Sequence, residues 1–220
     1  MCVRYLLEIG IEELVRNYRA QWIDEKLKDC HTGDFYPRQS ATIVVQQRTR
    51  TITSGVWGFD YPSKKKVVAN ARAETILERP MFRDAARYNR CIVPANWFYE
   101  WKSQNTGKKE KYRIGLRGEG IMSLGGLYKL SFEQGSGAKL LFVIITTDAE
   151  GDVREVHPRM PLIISRELVD LWLSRDTPVE VVEEILRGKM DVRFMVEKCE
   201  DEKDDGQASK GMRGEQIKMF

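Results

Sequence analysis

The sequence predicts an α+β fold in one domain, sheet-dominated through its middle, and three observations carry that expectation. At 220 residues, 42% hydrophobic and 31% charged, the chain can bury a core without disulfide or metal staples, yet is short enough for a single domain. Between positions 41 and 147, short β-branched or alternating segments follow one another at turn-length separations. Amphipathic helical patterns gather mainly towards the two ends.

Taken in order, Ile11, Leu14, Val15, Tyr18, Trp22 and Leu27 recur at three-to-five-residue spacing with charges between them, which predicts an amphipathic helix over 11–28. Gly33 and Pro37 then break the chain. Thr42-Ile43-Val44-Val45 and Thr51-Ile52-Thr53 predict strands within 41–59. Residues 74–88 read as a short helical stretch interrupted at Pro80. Cys91-Ile92-Val93 and residues 97–102 are strand candidates separated by Pro94, and Asn105-Thr106-Gly107 is turn chemistry leading into a strand over 111–115. Residues 121–130 and 140–147 predict further strands around the Gly135-Ser136-Gly137 turn. Residues 165–174 read as helix. Thr177-Pro178-Val179-Glu180 offers an N-cap, a proline at the first helical position and the glutamate of a capping box for a helix to about Arg187. A last strand over 192–196 closes a domain of 1–196, and 197–220 is a charged, turn-rich extension expected to be mobile.

Composition excludes several classes. The longest apolar run, 140–145, is far short of the ~20 residues of a membrane span. The N-terminus lacks the basic, apolar and small-residue segments of a signal peptide, so an intracellular protein is expected. Cys2, Cys30, Cys91 and Cys199 are scattered and read as free thiols, and His31 and His157 propose no zinc spacing. No metal or organic cofactor is expected. A net charge of +3 and a pI near 8.6 permit nucleic-acid binding without demanding it, since a strong footprint is a pI above ~9.

Four segments can carry chemistry. Removal of Met1 would leave Cys2 with a free α-amine beside its thiol, two nucleophiles with ordinary pKa values of ~7.7–8.0 and ~8.5. Such a pair can condense with an aldehyde: the amine forms a Schiff base and the thiol closes a five-membered thiazolidine. The alternative is a frayed end whose second residue is incidental. In Asn70-Ala71-Arg72-Ala73-Glu74, Asn70 can orient an amine or cap a helix, and Arg72 offers a fork for phosphate or a plain surface charge. Glu100, in Phe98-Tyr99-Glu100-Trp101, would share a strand face with Phe98 and oppose Tyr99 and Trp101. Burial there would suit it to general acid–base work; facing water on an edge strand, it would do nothing. Trp97 and Trp101 fit either a core or a base-stacking platform. His157, in His157-Pro158-Arg159-Met160-Pro161, is a proton shuttle or a surface histidine in a turn.

Together, Met1-Cys2, the Asn70–Glu74 block, Phe98-Tyr99-Glu100-Trp101 and His157-Pro158-Arg159-Met160-Pro161 resemble, in order, the blocks of the SOS-response-associated peptidase (SRAP) family. Trp57-Gly58, Phe82-Arg83, Arg90-Cys91 and Thr146-Thr147-Asp148-Ala149 agree in order as well. Val3 and Trp97 stand where the family usually has glycine, and Pro37-Arg38-Gln39 only partly keeps a Pro-Thr-Gln turn.

The resemblance implies a barrel-like β-core flanked by helices beside a positively charged cleft. It implies a cytoplasmic protein, nucleoid-associated when bound to DNA, that takes single-stranded DNA as partner and crosslinks to abasic sites as part of the DNA-damage response. A monomer with self-processing peptidase and lyase-like activity is implied as well. Mapped onto this chain, Cys2 is the crosslinking nucleophile, Asn70 orients its amine, Glu100 moves protons and His157 acts on the opened sugar. Arg72 and Arg159 would hold flanking phosphates. Arg4, Trp57, Arg83 and Trp101 would line the DNA path. By charge pattern alone, Lys64-Lys65-Lys66 and Lys108-Lys109-Lys111 read as loops that flank such a path or, more commonly, as solvated charge runs. The competing readings are a cysteine peptidase or amidohydrolase using Cys2 in trans, and a non-catalytic nucleic-acid-binding module.

Overall fold

The computed structural model describes residues 2–22, 32–61, 66–118, 120–133, 137–188 and 192–200. In chain order the elements are β1 (Tyr5–Leu7), α1 (Ile11–Tyr18), β2 (Gln21–Trp22), β3 (Gly33–Phe35), β4 (Ser40–Gln46), β5 (Arg50–Trp57), β6 (Phe59–Asp60), β7 (Val67–Val68) and β8 (Asn70–Arg72). There follow α2 (Arg83–Tyr88), β9 (Arg90–Ala95), β10 (Trp97–Ser103), β11 (Lys109–Leu116), β12 (Met122–Glu133), β13 (Gly137–Asp148), β14 (Arg159–Pro161), α3 (Val169–Leu173), α4 (Val179–Arg187) and β15 (Phe194–Lys198).

Five of these strands close a barrel. β5 pairs antiparallel with β4, β4 with β9 at Val44↔Ile92, β9 with β12, and β12 with β13 in a long hairpin. β13 then returns to β5 in parallel at Leu141↔Val56 and Phe142↔Trp57. Closure leaves no open edge within the ring. Beyond the closure β13 carries β8 in parallel (Ile144↔Asn70 to Thr146↔Arg72) and β14 antiparallel (Thr146↔Pro161 to Asp148↔Arg159). The barrel is tightly filled at Gly126, where a Cβ would lie 2.8 Å from Cys91 Sγ and 3.0 Å from Val143 O.

A second, antiparallel sheet runs in the order β15-β11-β10-β1-β3. Tyr5 of β1 joins it to the barrel through packed aromatic rings. Its ring centroid is 5.1 Å from Phe35 of β3 and 5.3 Å from Trp57 of β5, and Trp57 stacks on Phe142 of β13 at 6.2 Å. Such aromatic packing adds ~0.5–1.5 kcal/mol per pair beyond area burial. It also seats the N-terminal strand against the barrel.

Several expectations change in detail. The first helix stops at Tyr18, not 28: Arg19 is left-handed (φ 48°), and Ala20 N–H donates to Val15 O at 3.2 Å. Residues 23–31 lie outside the described residues. The expected helix over 74–88 survives only as α2, because the chain turns repeatedly before Pro80. Pro94 does not divide two strands but lies within β9. At that point β9 pairs only with β12 (Ser123↔Pro94), having left β4 at Ile92, so the missing N–H costs no ladder bond on a second side.

The helix expected over 165–174 is a 3₁₀ turn, Arg166–Leu168, running into α3. The capping box at α4 is absent, since the Thr177 hydroxyl donates to Leu171 O at 2.6 Å instead. Lys109 and Lys111 belong to β11 rather than a loop, and Lys64 and Lys65 lie outside the described residues. β15 continues to Lys198, so ordered pairing runs two residues past the expected boundary at 196. Residues 201–220, expected to be mobile, lie outside the described residues. Among the described residues no helix is long and apolar enough to cross a membrane.

Candidate active site

The two sheets meet at the N-terminus. Residues ahead of β1 continue its pairing with β10, as Tyr99 N–H donates to Arg4 O at 3.0 Å. Cys2 is fully buried, and its thiol points to the same carbonyl, Arg4 O, at 3.7 Å. From the barrel side, Asn70 at the start of β8 donates its Nδ2–H to Cys2 O at 2.9 Å. Its Oδ1 is buried with no hydrogen-bond partner among the described residues. A buried amide with one end spent on Cys2 and an acceptor left over is costly unless something donates to it.

Strand alternation places Glu100. Phe98 and Glu100 face inward, 0% and 2% exposed, while Trp97 and Trp101 are half-exposed on the opposite face. Burial pushes the Glu100 carboxyl up to about 7, partly opposed by the positive charge of the N-terminus. Burial likewise raises the Cys2 thiol well above its ordinary value, and the nearby Glu100 charge adds to this. Cys2 is therefore held as a thiol, with a carboxyl beside it that changes protonation near neutrality.

His157 precedes β14, and Val153 O accepts its backbone N–H at 3.0 Å. His157 Nδ1 lies 3.0 Å from both Arg159 N–H and Arg159 O, so it accepts from the first in one tautomer of the neutral ring and donates to the second in the other. Burial, with the N-terminal positive charge next, lowers its pKa and favours that neutral form. Cys2, Asn70 and Glu100 are thus in direct relation, and His157 shares their electrostatic neighbourhood.

The arginines and tryptophans divide. Arg72 is exposed at the end of β8, two residues beyond Asn70, and makes no ion pair with a described residue. Arg83 is exposed on α2 beside Asp84, at 3.5 Å. Arg159 is instead engaged inside the protein: Nη1 meets Glu74 Oε1 at 2.5 Å and Asp148 Oδ1 at 2.7 Å, while Nη2 meets Glu74 Oε2 at 2.9 Å and Thr146 O at 2.6 Å. Arg4 forms a two-pronged pair with Asp34 at 2.8 and 2.9 Å, and its guanidinium lies 4.5 Å from the Tyr99 ring and 5.3 Å from Tyr36. Trp57 has no exposed surface and donates Nε1–H to Ala69 O at 2.8 Å, which makes it a support beneath the site rather than a lining residue. Trp101 keeps an exposed face.

Sequence reasoning passed over Asp34, Tyr36 and Tyr99, which fix Arg4 and with it the strand bearing Cys2. The signal was slight: an aspartate on β3, a tyrosine just past that strand and a tyrosine on β10, related only by strand pairing. Among the described residues no three His, Cys, Asp or Glu side chains gather as a metal site requires. A cavity of about 850 Å³ between α1, β12 and α4, lined by Tyr18, Arg50, Ser123 and Ile164, includes none of the four candidate residues.

The chain is 29% identical over 194 residues to the abasic site processing protein YoaM of Bacillus subtilis, covering 84% of this chain and 85% of that one. It is 28% identical over 159 residues to the abasic site processing protein HMCES of Gallus gallus, covering 61% and 47%. A crystal structure of a protein from Bacteroides thetaiotaomicron shares the fold with a TM-score of 0.78 at 22% identity, covering 89% of this chain and 91% of that one. A family model described as SOS response associated peptidase (SRAP) matches residues 1–201, and the chain belongs to that family.

Proposed function

We propose that this protein binds single-stranded DNA and, once Met1 is removed, captures abasic sites by a covalent thiazolidine link to Cys2. One observation carries the reading. The buried Asn70 amide is bound to Cys2 O, its Oδ1 has no partner among the described residues, and Cys2 feels the charge of Glu100, whose carboxyl is raised to about 7. That constellation suits an amine nucleophile at residue 2. Relatives named abasic site processing proteins, YoaM and HMCES among them, support the substrate.

The chemistry follows from the protonation states. Because burial keeps the Cys2 thiol protonated, the freed α-amine attacks first, steered by Asn70 Oδ1. Amine and aldehyde carbon join, and the carbonyl oxygen becomes a hydroxyl. Glu100 as acid protonates that hydroxyl, which leaves as water and gives the Schiff base. Now a carboxylate, Glu100 takes the thiol proton, and sulfur adds to the same carbon to close the ring. The balance is aldehyde plus aminothiol to thiazolidine plus one water. In its Nε2–H tautomer, neutral His157 donates to the opened sugar's oxygen, and exposed Arg72 meets a flanking phosphate.

The test is a denaturing gel of the full chain with a single-stranded oligonucleotide carrying one abasic site, beside Cys2→Ala and an undamaged strand. A slow band seen only with the unmodified protein and the abasic strand supports the reading. Its absence from protein whose intact mass shows Met1 removed overturns it. Turnover of a peptide substrate dependent on Cys2 would instead establish a peptidase acting in trans.

A further inference from the structure

We propose that Asp34 is a positioning residue for Cys2: by clamping Arg4 it holds the N-terminal segment where its α-amine can react, an inference that rests on the capture reading above. The need for a clamp follows from where the nucleophile sits. N-terminal residues ordinarily fray, and β1 begins only at Tyr5, three residues after Cys2. An amine that must meet an aldehyde at reacting distance loses rate steeply when its position blurs, and a misplacement of ~1 Å can cost ~10²-fold.

The geometry at residue 4 answers that need. β3 pairs with β1 at Leu6↔Asp34. Tyr5 turns into the core, so Arg4 and Leu6 share the opposite face and Asp34 lies diagonally across from Arg4. Arg4 Nε and Nη2 donate to the two Asp34 oxygens at 2.8 and 2.9 Å, so both prongs of one planar fork meet one carboxylate. On the other side, the Tyr99 ring of β10 lies 4.5 Å from the guanidinium, and Tyr99 N–H donates to Arg4 O at 3.0 Å. That same carbonyl faces the Cys2 thiol at 3.7 Å. Arg4 is thus tied to β3 by its side chain and to β10 by its backbone, with Cys2 resting on the carbonyl between.

Aspartate is a poor strand former. In the middle of β3, a three-residue strand at the edge of its sheet, the fork it receives accounts for it where the sheet does not. The pair is also partly shielded, with side-chain exposures of 13% for Arg4 and 32% for Asp34, so solvent weakens it less than a fully exposed pair. Asn70 holds Cys2 O directly from the barrel. Asp34 holds the same segment from the sheet edge, acting through Arg4.

The experiment uses the full chain with Met1 removed and compares the parent with Asp34→Asn, which keeps the shape and loses the charge. The first readout is iodoacetamide labelling of each thiol, resolved by peptide mass. Cys91, fully buried in the barrel, reports global opening, and Cys2 reports local release. Asp34→Asn should label Cys2 ~10-fold faster, the effect on local opening of losing one charge-assisted hydrogen bond. Cys91 should label at the parent's rate, and Tm should fall by no more than ~4 °C. The second readout is single-turnover crosslinking against the concentration of the abasic oligonucleotide. The maximal rate should fall ~10-fold, while the half-saturating concentration stays within about twofold of the parent's. Unchanged labelling of Cys2, or an unchanged maximal rate, would overturn the proposal. Equal acceleration at Cys2 and Cys91 would overturn it too, by making Asp34 a part of the fold at large. The labelling needs no DNA, so the two readings fail separately: a parent that does not crosslink overturns the capture reading, and the Cys2 labelling still decides the clamp.

Discussion

Replacing Glu100 by glutamine should stabilise the protein at alkaline pH while disabling its chemistry. In the folded chain the Glu100 carboxyl, 2% exposed, is pushed up to about 7 by burial, from an ordinary 4.5. Between those values the folded state holds a proton that the unfolded chain has released. Stability therefore falls as pH rises through that window, by ~1.4 kcal/mol per pH unit, and levels off above it. Over the whole window the buried carboxylate costs about 3 kcal/mol. Glu100→Gln keeps the shape and removes the charge. Thermal melts at pH 5 should nearly coincide, and at pH 8.5 the variant should melt ~5–10 °C higher. His157 titrates in both proteins, so the difference between the two curves isolates Glu100. Crosslinking to an abasic strand by the same variant should slow by ~10²-fold or more. Parallel Tm curves, offset equally at every pH, would refute the reasoning, because they would mean the carboxylate is as well solvated folded as unfolded.

Asn70→Ala removes the bond to Cys2 O, and about 1 kcal/mol of stability with it; single-turnover crosslinking should slow at least ~10-fold, and a rate within twofold of the parent would show that the amide does not act on Cys2. Arg72→Ala should leave Tm nearly unchanged and cut the salt slope by ~0.7, whereas Arg159→Ala, which removes a largely buried guanidinium from the exposed Glu74 and Asp148 carboxylates and from Thr146 O, should cost about 1 kcal/mol with little change in slope. The reverse pattern would make Arg159 the phosphate ligand and its ion pairs incidental. Gly126→Ala forces a Cβ against Cys91 Sγ and Val143 O and should destabilise by ~1–3 kcal/mol in urea unfolding; an unmoved midpoint would mean the barrel yields there.

Much of this arrangement was legible because it depends on local periodicity. The two-residue alternation in Phe98-Tyr99-Glu100-Trp101 is enough to put Glu100 on the face of Phe98, whereas the burial of that face comes from the sheet's partners. The β-branched runs at 42–45 and 51–53 do lie in β4 and β5. What escaped depends on partners distant in sequence. Nothing near Arg90 announces that its guanidinium is buried and donates to Trp172 O at 2.7 Å, Ala86 O at 2.7 Å and the carbonyls of Arg87 and Ser174, gathering the ends of α2 and α3 onto β9. The resemblance put Arg159 at a phosphate and Arg4 along the DNA path; the carboxylates that pair with them, Asp148 with Glu74 and Asp34, come from other strands and turns, so nothing local announced those pairs. Trp57 looked available for a base because an indole beside Gly58 says nothing of the Tyr5 and Phe142 rings that enclose it. The helix end at Tyr18 carries neither glycine nor proline, so no local punctuation marks it.

The placing of β1 between β3 and β10 also sets an order in time. Tyr5 must wait for Phe98 to be made before it can pair, and the barrel closes only when Phe142 reaches Trp57. At ~5–20 residues per second of synthesis, the first strand spends roughly 5–20 s without its β10 partner. Contacts so far apart in sequence also form late once the chain is free, because loop closure has to precede them. Cys2, made ahead of the strands that bury it, is therefore among the last to be placed. Its buried surroundings come into being with the finished fold and dissolve with it, so loss of the tertiary structure would return an ordinary exposed cysteine.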